Sequence, residues 1–313
     1  MFRLIFVRAI SVVPVILIVA TLIFLLLRLS SGDPATLMAG DTASAEAIEN
    51  MRRSLGLDKP LGVQYVIWLG ELLQFNLGNS ILTGQPVSEM IAKRLEPTFM
   101  LALSVIMLTI VVAVPLGVVA ARYHRTWVDR FVMAISVAGY SLPAFVIGYI
   151  LILTFSLGLN LFPVQGYVSP TEDFWQFVQH MILPAITLAI VMIALIARVT
   201  RSSMLEILGE DFIRTARAKG NSERRVVWRH ALPNAAVPVI TVIGISVATI
   251  ISGVVVTESV FNIPGLGRLT IDAIMSRDYP LVQGIILFFS FVYVGINLLV
   301  DILYVLVDPR IRY

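Results

Sequence analysis

"TFMLALSVIMLTIVVAVPLGVVAA" occupies residues 98–121 and carries no charged side chain. A helix needs roughly 20 apolar residues to cross the hydrocarbon core of a bilayer, and this stretch is long enough. Its backbone polar groups would find no water in lipid, so they must pair with one another in a helix. The stretch therefore predicts a membrane-spanning helix and an all-α fold.

The composition of the whole chain indicates an integral membrane protein. Of its 313 residues, 58% are hydrophobic and 14% are charged, whereas about 25% of residues in soluble domains are charged. The net charge of +3 comes largely from basic residues beside apolar blocks, which membrane orientation explains better than nucleic-acid binding. The chain has no cysteine, which excludes disulfides, and its three scattered histidines argue against a structural zinc site.

Six apolar blocks predict six transmembrane helices. They lie at residues 9–29, 99–121, 131–157, 181–199, 236–257 and 281–304. Because Arg3 and Arg8 precede the first block, a signal peptide is an alternative interpretation of that block. We favour a retained span, since the apolar run is long and no clear small-x-small cleavage site follows it.

The basic residues of the short loops predict the orientation, because they concentrate on the cytoplasmic side. The N-terminal tip and the loops after the second and fourth blocks are rich in arginine and lysine. The 158–180 loop has neither residue, and the 258–280 loop has two arginines. Both termini are therefore predicted to be cytoplasmic in a bacterial inner membrane.

This pattern divides the chain into residues 1–29 (N-terminal tip and first span), 30–98 (an extracytoplasmic helical segment) and 99–313 (a five-helix transmembrane core). The 30–98 segment is too long for a plain connector. Apolar side chains recur in it at helical spacing, at Leu61, Tyr65, Trp68, Leu69 and Leu72. Turn signals occur at Asp33-Pro34, Gly56 and Gly78. Two interpretations stay open for this segment: a packing lid over the bundle, or a docking surface for an external partner.

The predicted spans offer little chemistry. Charged side chains inside spans commonly mark ion or proton routes, and the second to fifth blocks have none between residues 98 and 257 apart from their loops. This weakens the alternative function, a stand-alone secondary carrier for a small solute. Phosphate-loop, zinc-protease and serine-hydrolase motifs are absent from the sequence. We therefore expect no catalytic residue and no metal site, and we expect Ser141 to bond to its own helix.

A cytoplasmic loop at residues 201–234, which we name the basic loop, has a clear pattern. Its apolar side chains recur along one face of a predicted helix, at Leu205, Leu208, Phe212, Ile213 and Ala216. Gly220 is predicted to end this helix in a left-handed conformation. Ser222 is predicted to cap a second helix that runs to about His230 and ends at Pro233. Such a bent pair can fill a groove on another protein; the alternative is an interfacial helix whose arginines bind anionic lipid.

The spacing in the basic loop resembles the "EAA" loop of ABC importer membrane subunits, which reads Glu-Ala-Ala, three residues, Gly, nine residues, Ile-x-Leu-Pro. The positions that match are Ala216, Gly220, Leu232 and Pro233. The positions that depart from it are Arg214 for the glutamate, Thr215 for the first alanine and His230 for the isoleucine. These departures are similar to the variant found in the dipeptide, oligopeptide and nickel permease branch, where "RTARAKG" precedes "HAL".

The resemblance to that branch covers nearly the whole chain. The similar phrases are "SGDP" (31–34), "LGLDKPL" (55–61), "QY" (64–65), "GYSLP" (139–143), "RVTRSSMLEILGEDFIRTARAKG" (198–220), "TESVFNIPGLGRL" (257–269), "RDYPLVQG" (277–284) and "DPRIR" (308–312). The chain is most similar to the first of the two permeases of dipeptide importers.

The resemblance implies a type I ABC importer permease fold with six spans. It implies a passive subunit that forms half of a translocation pathway for dipeptides or short oligopeptides. The implied partners are a second homologous permease, two ABC ATPase subunits that bind ATP and Mg, a periplasmic or lipid-anchored substrate-binding protein and membrane lipids, with no nucleic acid. No cofactor is expected on this chain, and dipeptides, oligopeptides, glutathione and nickel complexes all stay open as substrates.

The same resemblance implies that the basic loop couples the chain to the ATPases. The expected coupling residues are Arg214, Thr215, Ala216, Arg217, Gly220, Arg224, Arg225, His230, Leu232 and Pro233. Polar residues within spans are candidates for the translocation path, namely Tyr140, Ser141 and Asn297. The phrase "TESVFNIPGLGRL", which we name the outer loop (residues 257–269), is either a packing connector or an outer gate or binding-protein contact. Its candidate residues are Glu258, Pro264, Gly265 and Gly267.

Overall fold

A computed structural model describes residues 13–25, 35–36, 44–54 and 56–307 of the chain. Within these ranges the regular structure is helical, apart from one isolated bridge between Asn79 and Pro86. The first helices are α1 (Val13–Leu25), α2 (Ala45–Ser54), α3 (Leu61–Leu73) and α4 (Val87–Arg122). The later helices are α5 (Trp127–Ser141), α6 (Ala144–Gly158), α7 (Phe174–Leu208), α8 (Asp211–Ala218), α9 (Glu223–Asn234), α10 (Ala236–Val260), α11 (Leu266–Met275) and α12 (Tyr279–Val307). The all-α fold class is confirmed.

Several of these helices can cross a membrane. By length and composition α4, α7 and the Tyr279–Val300 part of α12 each qualify alone. The bent pairs α5–α6 and α9–α10 qualify when each pair is taken as one span, which gives up to five spans in the described residues. The first predicted block, 9–29, is described only as α1 and extends beyond the described ranges. The multi-pass architecture is confirmed.

The third predicted span is not one straight helix. Residues 131–157 form the end of α5 and nearly all of α6, which meet at Leu142 and Pro143 with a bend of 105°. Leu142 takes an extended conformation (φ −96°, ψ 135°), because the ring of a following proline disfavours helical geometry at the residue before it. Pro143 also has no N–H to continue the helical ladder. The expectation of a continuous span was wrong at this point.

The described chain forms two compact units. One contains Glu96–Arg268 and the described residues of Gly295–Tyr313. The other contains the described residues of Phe6–Leu95 and of Leu269–Val294. Within the first unit α7 is the central helix, since 56% of its most apolar window is buried, against 22% for α4.

Small residues bring the helices of this first unit into close contact. A Cβ on Gly117 of α4 would lie 2.5 Å from Thr200 Cβ and 2.6 Å from the Ala197 carbonyl oxygen, both on α7. A side chain at position 117 would therefore force α4 and α7 apart. Close approach of this kind is how transmembrane helices gain packing energy, because lipid removes the hydrophobic drive between them.

The second unit has a small apolar core of its own. Ala20 and Ile23 of α1 are buried together with Leu287 of α12, and Trp68, Leu69 and Leu72 of α3 pack against them. Leu61 was expected on this buried face but is 56% exposed. It is the first residue of α3, one turn before the residues that reach the core.

Gln64 takes the buried position in the first turn of α3. Its Nε2 donates to the carbonyl oxygens of Lys59 at 2.8 Å and Leu57 at 3.2 Å. These bonds attach the helix to the preceding turn, in which Gly56 has a positive φ of 63°. The turns predicted at Gly56 and Gly78 are confirmed by their positive φ angles, and the one at Asp33-Pro34 lies outside the described residues.

A buried carboxylate organises the start of α12. Asp278 Oδ2 accepts a hydrogen bond of 2.5 Å from Ser80 Oγ, and its Oδ1 accepts one of 3.2 Å from the Ile81 amide. Oδ1 also lies 3.4 Å from the Leu281 amide at the helix N-terminus. An aspartate at this position satisfies backbone donors that the helix leaves unpaired. The sequence gave no signal for this contact because its partners lie about two hundred residues apart.

Candidate functional site

The basic loop begins as a continuation of α7 and then breaks. The helix predicted along Leu205 to Ala216 is interrupted after Leu208 by Gly209 and Glu210, and α8 starts at Asp211. The amides of Gly209 and Glu210 donate to carbonyl oxygens three residues earlier, which tightens the last turn. The break re-orients the following residues, so Phe212 is 44% exposed instead of lying on the buried face.

Gly220 forms the bend between α8 and α9, as its spacing predicted. Its φ is +78° and its amide donates to the Arg217 carbonyl oxygen at 2.9 Å, so the left-handed conformation is confirmed. Asn221 Nδ2 donates to the Ala216 carbonyl oxygen at 2.9 Å, and Arg217 Nε donates to Glu223 Oε1 at 2.8 Å. Backbone and side chains together hold the bend.

The second helix runs further than expected. Ser222 occupies the N-cap position of α9, although its side chain makes no capping hydrogen bond. The helix does not end at Pro233 but continues to Asn234, after a π-helical stretch at Val226–Ala231. In that stretch the Leu232 amide donates to the carbonyl oxygen of Val227, five residues earlier. Asn234 Nδ2 then donates to the His230 carbonyl oxygen at 2.6 Å.

A proline can therefore be accommodated here without ending the helix. The chain bends after Asn234 instead, and the axes of Glu223–Asn234 and Ala236–Ile251 differ by 62°. The expected end of the helix at Pro233 was wrong, since a π turn changes the hydrogen-bond ladder just before the residue that lacks an N–H.

One face of the basic loop is anchored in an apolar cluster. Its buried residues are Val118 and Ala121 of α4, Met204 of α7, Ile213 and Ala216 of α8, and Val226, Val227, Ala231 and Ala235. Ile213, Val226 and Ala231 have no exposed surface at all. The loop is thus packed on the ends of two long helices.

The opposite face of the loop is basic and exposed. The expected coupling residues on it are Arg214, Thr215, Arg217, Gly220, Arg224, Arg225 and Pro233, while His230 and Leu232 are half-buried and Ala216 is buried. Arg214 forms an ion pair of 3.2 Å with Asp211 one turn earlier. Among the expected coupling residues, only Ala216 belongs wholly to the anchor.

Two exposed aromatic residues accompany these arginines. Phe212 and Trp228 each expose 44% of their surface, and Trp228 lies on α9 between basic residues. Sequence reasoning placed Phe212 in the core and did not select Trp228. A tryptophan flanked by arginines in a short helix was the available signal, because exposed aromatics with arginine are typical of interface cores.

The outer loop is built around a buried carboxylate. Glu258 has no exposed surface; its Oε1 accepts from Thr98 Oγ1 at 2.6 Å and its Oε2 accepts from the Arg268 amide at 3.0 Å. Thr98 Oγ1 in turn accepts from the Leu266 amide at 2.8 Å. Each hydrogen-bonding group in this network is fixed by another.

The glycines of the outer loop make room for that carboxylate. A Cβ on Gly265 would overlap the Glu258 carboxylate, and a Cβ on Gly267 would lie 2.5 Å from Val255 Cα. Pro264 is half-buried between them. The four candidate residues therefore form one packed structure, which supports the connector interpretation; a role as a gate or binding-protein contact stays a prediction.

The candidates for the translocation path are spread over two helices. Tyr140 and Ser141 are adjacent and exposed at the end of α5, just before the bend, and Asn297 is exposed on α12. Ser141 Oγ donates to the Val137 carbonyl oxygen at 2.8 Å, as expected for a serine bonded to its own helix. In the part of the chain that the structure describes, no group of three or more histidine, aspartate or glutamate residues could hold a metal ion.

Family profiles match almost the entire chain. Residues 113–313 match the binding-protein-dependent transport system inner membrane component, and residues 1–102 match the N-terminal part of the membrane component of such systems. The chain belongs to this family of inner membrane components. Its resemblance to ABC importer permeases is thereby confirmed.

Full-length relatives agree with this assignment. The permease is 50% identical over 306 residues to a protein of Sinorhizobium fredii named "Probable peptide ABC transporter permease protein", with 98% of each chain covered. It is 43% identical over 306 residues to the glutathione transport system permease protein of Salmonella typhimurium, with 98% of this chain and 97% of the relative covered.

The family defines the role of the chain. It is the membrane permease subunit of a binding-protein-dependent ABC importer and a multi-pass protein of the inner membrane. It is not an enzyme, since ATP is hydrolysed on partner subunits. Its partners include another permease, ATPase subunits and a substrate-binding protein.

Proposed function

We propose that this permease imports dipeptides or short oligopeptides and that its basic loop receives the force of ATP hydrolysis. The name of the Sinorhizobium fredii relative specifies peptides. The relative from Salmonella typhimurium is named for glutathione, which is itself a tripeptide. A peptide backbone with free ends is the chemistry common to both.

The observation that carries the coupling proposal is the two-sided construction of the basic loop. Its inner face is fixed on α4 and α7 by fully buried side chains such as Ile213 and Val226. Its outer face exposes Arg214, Arg224 and Arg225. A rigid helix pair of this kind suits a groove on a partner protein, and force applied to it would reach two transmembrane helices directly.

Phe212 and Trp228 give this surface its apolar part. Partly exposed aromatic side chains next to arginines contribute most of the binding energy in many interfaces. A lipid-bound interfacial helix would need a continuous apolar face toward the membrane, whereas the apolar face of α8 and α9 is occupied by the cluster under it. An ATPase groove is therefore the better partner.

The proposed assembly contains this chain, a second homologous permease, two ABC ATPase subunits and a periplasmic or lipid-anchored substrate-binding protein. ATP and Mg bind to the ATPase subunits, because this sequence has no phosphate-binding loop. Both termini and the basic loop face the cytoplasm, in agreement with the excess of arginine in the alternate loops. Tyr140, Ser141 and Asn297 are proposed to line the path, and the outer loop to contact the binding protein or close the outer side.

Charge reversal at the exposed face tests the coupling proposal. The variant Arg224→Glu with Arg225→Glu leaves the buried anchor intact. We expect peptide uptake by the reconstituted complex to fall roughly tenfold, within the 5- to 150-fold range typical of coupling energies between sites. The measurements are uptake of a labelled dipeptide, ATP hydrolysis and the amount of ATPase that copurifies.

A matched control makes the same charge change elsewhere. Arg52→Glu with Arg53→Glu reverses two adjacent arginines of α2, where only exposed pairs with Glu49 are lost. Because exposed pairs contribute little stability, we expect normal ATPase copurification and ATP turnover. Equal uptake per ATP by the wild type and the Arg224/Arg225 variant would disprove the coupling role.

The substrate is tested with the whole importer. The binding protein and the complex are reconstituted, and labelled dipeptides, a tetrapeptide and glutathione are compared as substrates at equal concentration. Preferential uptake of dipeptides or the tetrapeptide supports the proposal. Preference for glutathione, or uptake by this chain alone without any ATPase, would overturn it.

A further inference from the structure

A buried ion pair connects two transmembrane helices just before the basic loop. Asp129 lies in the first turn of α5 and exposes 6% of its side chain, and Arg201 lies near the end of α7 and exposes 20%. Arg201 Nε donates to Asp129 Oδ1 at 2.5 Å, and its Nη2 donates to Oδ2 at 2.8 Å. This two-point geometry fixes direction as well as distance.

The chain between α4 and α5 joins the same group. The Arg125 amide donates to Asp129 Oδ2 at 3.0 Å, and His124 Nδ1 lies 3.2 Å from Oδ2 and 3.1 Å from Arg201 Nη2. Arg125 has a φ of +64°, an uncommon conformation for a residue with a side chain. The turn between α4 and α5 is therefore held in an unfavourable backbone conformation that directs an amide at Asp129.

The position of Arg201 relates this group to the basic loop. Met204, less than one turn further along α7, is fully buried in the cluster that anchors the basic loop. Ala121, at the end of α4, belongs to that same cluster. By contrast α5 is absent from the cluster, and it leads to the 105° bend at Pro143.

We propose that the Asp129–Arg201 pair is a positioning contact that makes α5 move together with the base of the basic loop. The proposal rests on the proposed function, because it assumes that the ATPases displace the basic loop. Displacement of α7 at Met204 then turns Arg201, and the paired Asp129 passes the displacement to the first turn of α5. Without the pair, α5 would be linked to the loop only through the chain connection to α4 and through apolar contacts that can slide.

The test follows two reporter positions in the complete importer. The chain has no cysteine, so Ala218→Cys on the exposed side of α8 and Ile135→Cys on the exposed side of α5 each give one labelling site when the partner subunits are cysteine-free. An environment-sensitive fluorophore is attached in either variant. Its emission is recorded before and after a non-hydrolysable ATP analogue binds.

In the otherwise wild-type importer we expect both reporters to respond to the nucleotide. In Asp129→Asn the reporter at position 218 still responds, whereas the response at position 135 falls roughly tenfold, as expected from the loss of a coupling energy of ordinary size. Uptake per ATP falls in parallel. An unchanged response at position 135 would overturn the proposal.

Two further variants separate positioning from simple loss of folding. Arg201→Lys keeps a positive charge against Asp129 but cannot form the two-point contact, so it leaves no uncompensated buried charge and gives an intermediate response at position 135. Glu89→Gln removes an exposed ion pair with Lys93 and leaves both reporters unchanged. Equal responses in Arg201→Lys and the wild type would also contradict the proposal.

Failure of the proposed function has a different signature. If the basic loop does not bind an ATPase, the reporter at position 218 stays silent in the wild-type importer. If the loop binds but the ion pair has no role, that reporter responds and Asp129→Asn changes nothing at position 135. The two outcomes are read from the same samples.

Discussion

The basic loop and the outer loop both interrupt long helices, yet different contacts hold them. The basic loop is anchored by apolar side chains such as Ile213 and Val226, and its polar contacts lie at the exposed bend. The outer loop is held by hydrogen bonds to one buried carboxylate, Glu258. The first arrangement leaves a basic surface available to a partner, whereas the second uses its charged residue internally.

The difference predicts where each segment is sensitive to substitution. Apolar anchors fail when volume is lost, and their polar surroundings can change with little effect. A buried hydrogen-bond network fails when a single acceptor is removed, because the donors that remain have no water to replace it. Three substitutions test this contrast, each with the free energy of unfolding of the purified permease as the measurement.

The largest effect is expected at the outer loop. Glu258→Ala leaves the Thr98 hydroxyl and the Arg268 amide without their buried acceptor, and each unsatisfied donor costs about 1–3 kcal/mol, so we expect a loss of about 4 kcal/mol. Glu258→Gln, which keeps the volume and one acceptor, should lose less. If the alanine variant were as stable as the wild type, the carboxylate would not be what holds the outer loop.

A smaller effect is expected in the anchor of the basic loop. Ile213→Ala removes three carbon atoms from a fully buried side chain, and such truncations cost about 3 kcal/mol. The adjacent half-exposed Phe212 is the matched control, and Phe212→Ala should destabilise the permease much less. Similar losses for the two variants would show that the cluster is not the anchor.

The smallest effect is expected for a polar contact of the basic loop. Arg217→Ala removes the ion pair with Glu223, in which both side chains are about half exposed. Exposed pairs contribute about 0.5 kcal/mol, and Glu223→Ala should give a similar value in a double-mutant cycle. A loss as large as that of Glu258→Ala would mean that the two segments are held by the same kind of contact.

The sequence predicted what depends on neighbours along the chain. Long apolar runs identify the spans because each spanning helix must satisfy its own backbone. Gly220 identified the bend between α8 and α9, since few residues other than glycine adopt its φ without strain. The family was also recognisable, because its phrases keep their order along the chain.

Features that depend on distant residues or on competing local effects were missed. Asp129 reads as a loop charge, and its partner Arg201 lies 72 residues further on; the partner of Glu258 lies 160 residues away. Pro143 was one of several prolines in apolar blocks, and only the fold shows that it separates α5 from α6. The break at Gly209 and the π-helical stretch before Pro233 changed which side chains are buried, and Phe212 was misplaced for that reason.

The length of α4 and α7 has a further physical consequence. These helices have 36 and 35 residues, and at 1.5 Å per residue each is about 50 Å long, whereas the hydrocarbon core of a bilayer measures about 30 Å. A change of a few ångströms in bilayer thickness would therefore expose no unpaired peptide groups on either helix. The permease core is built to tolerate hydrophobic mismatch by sliding along its own helices, without tilting them or deforming the surrounding lipid.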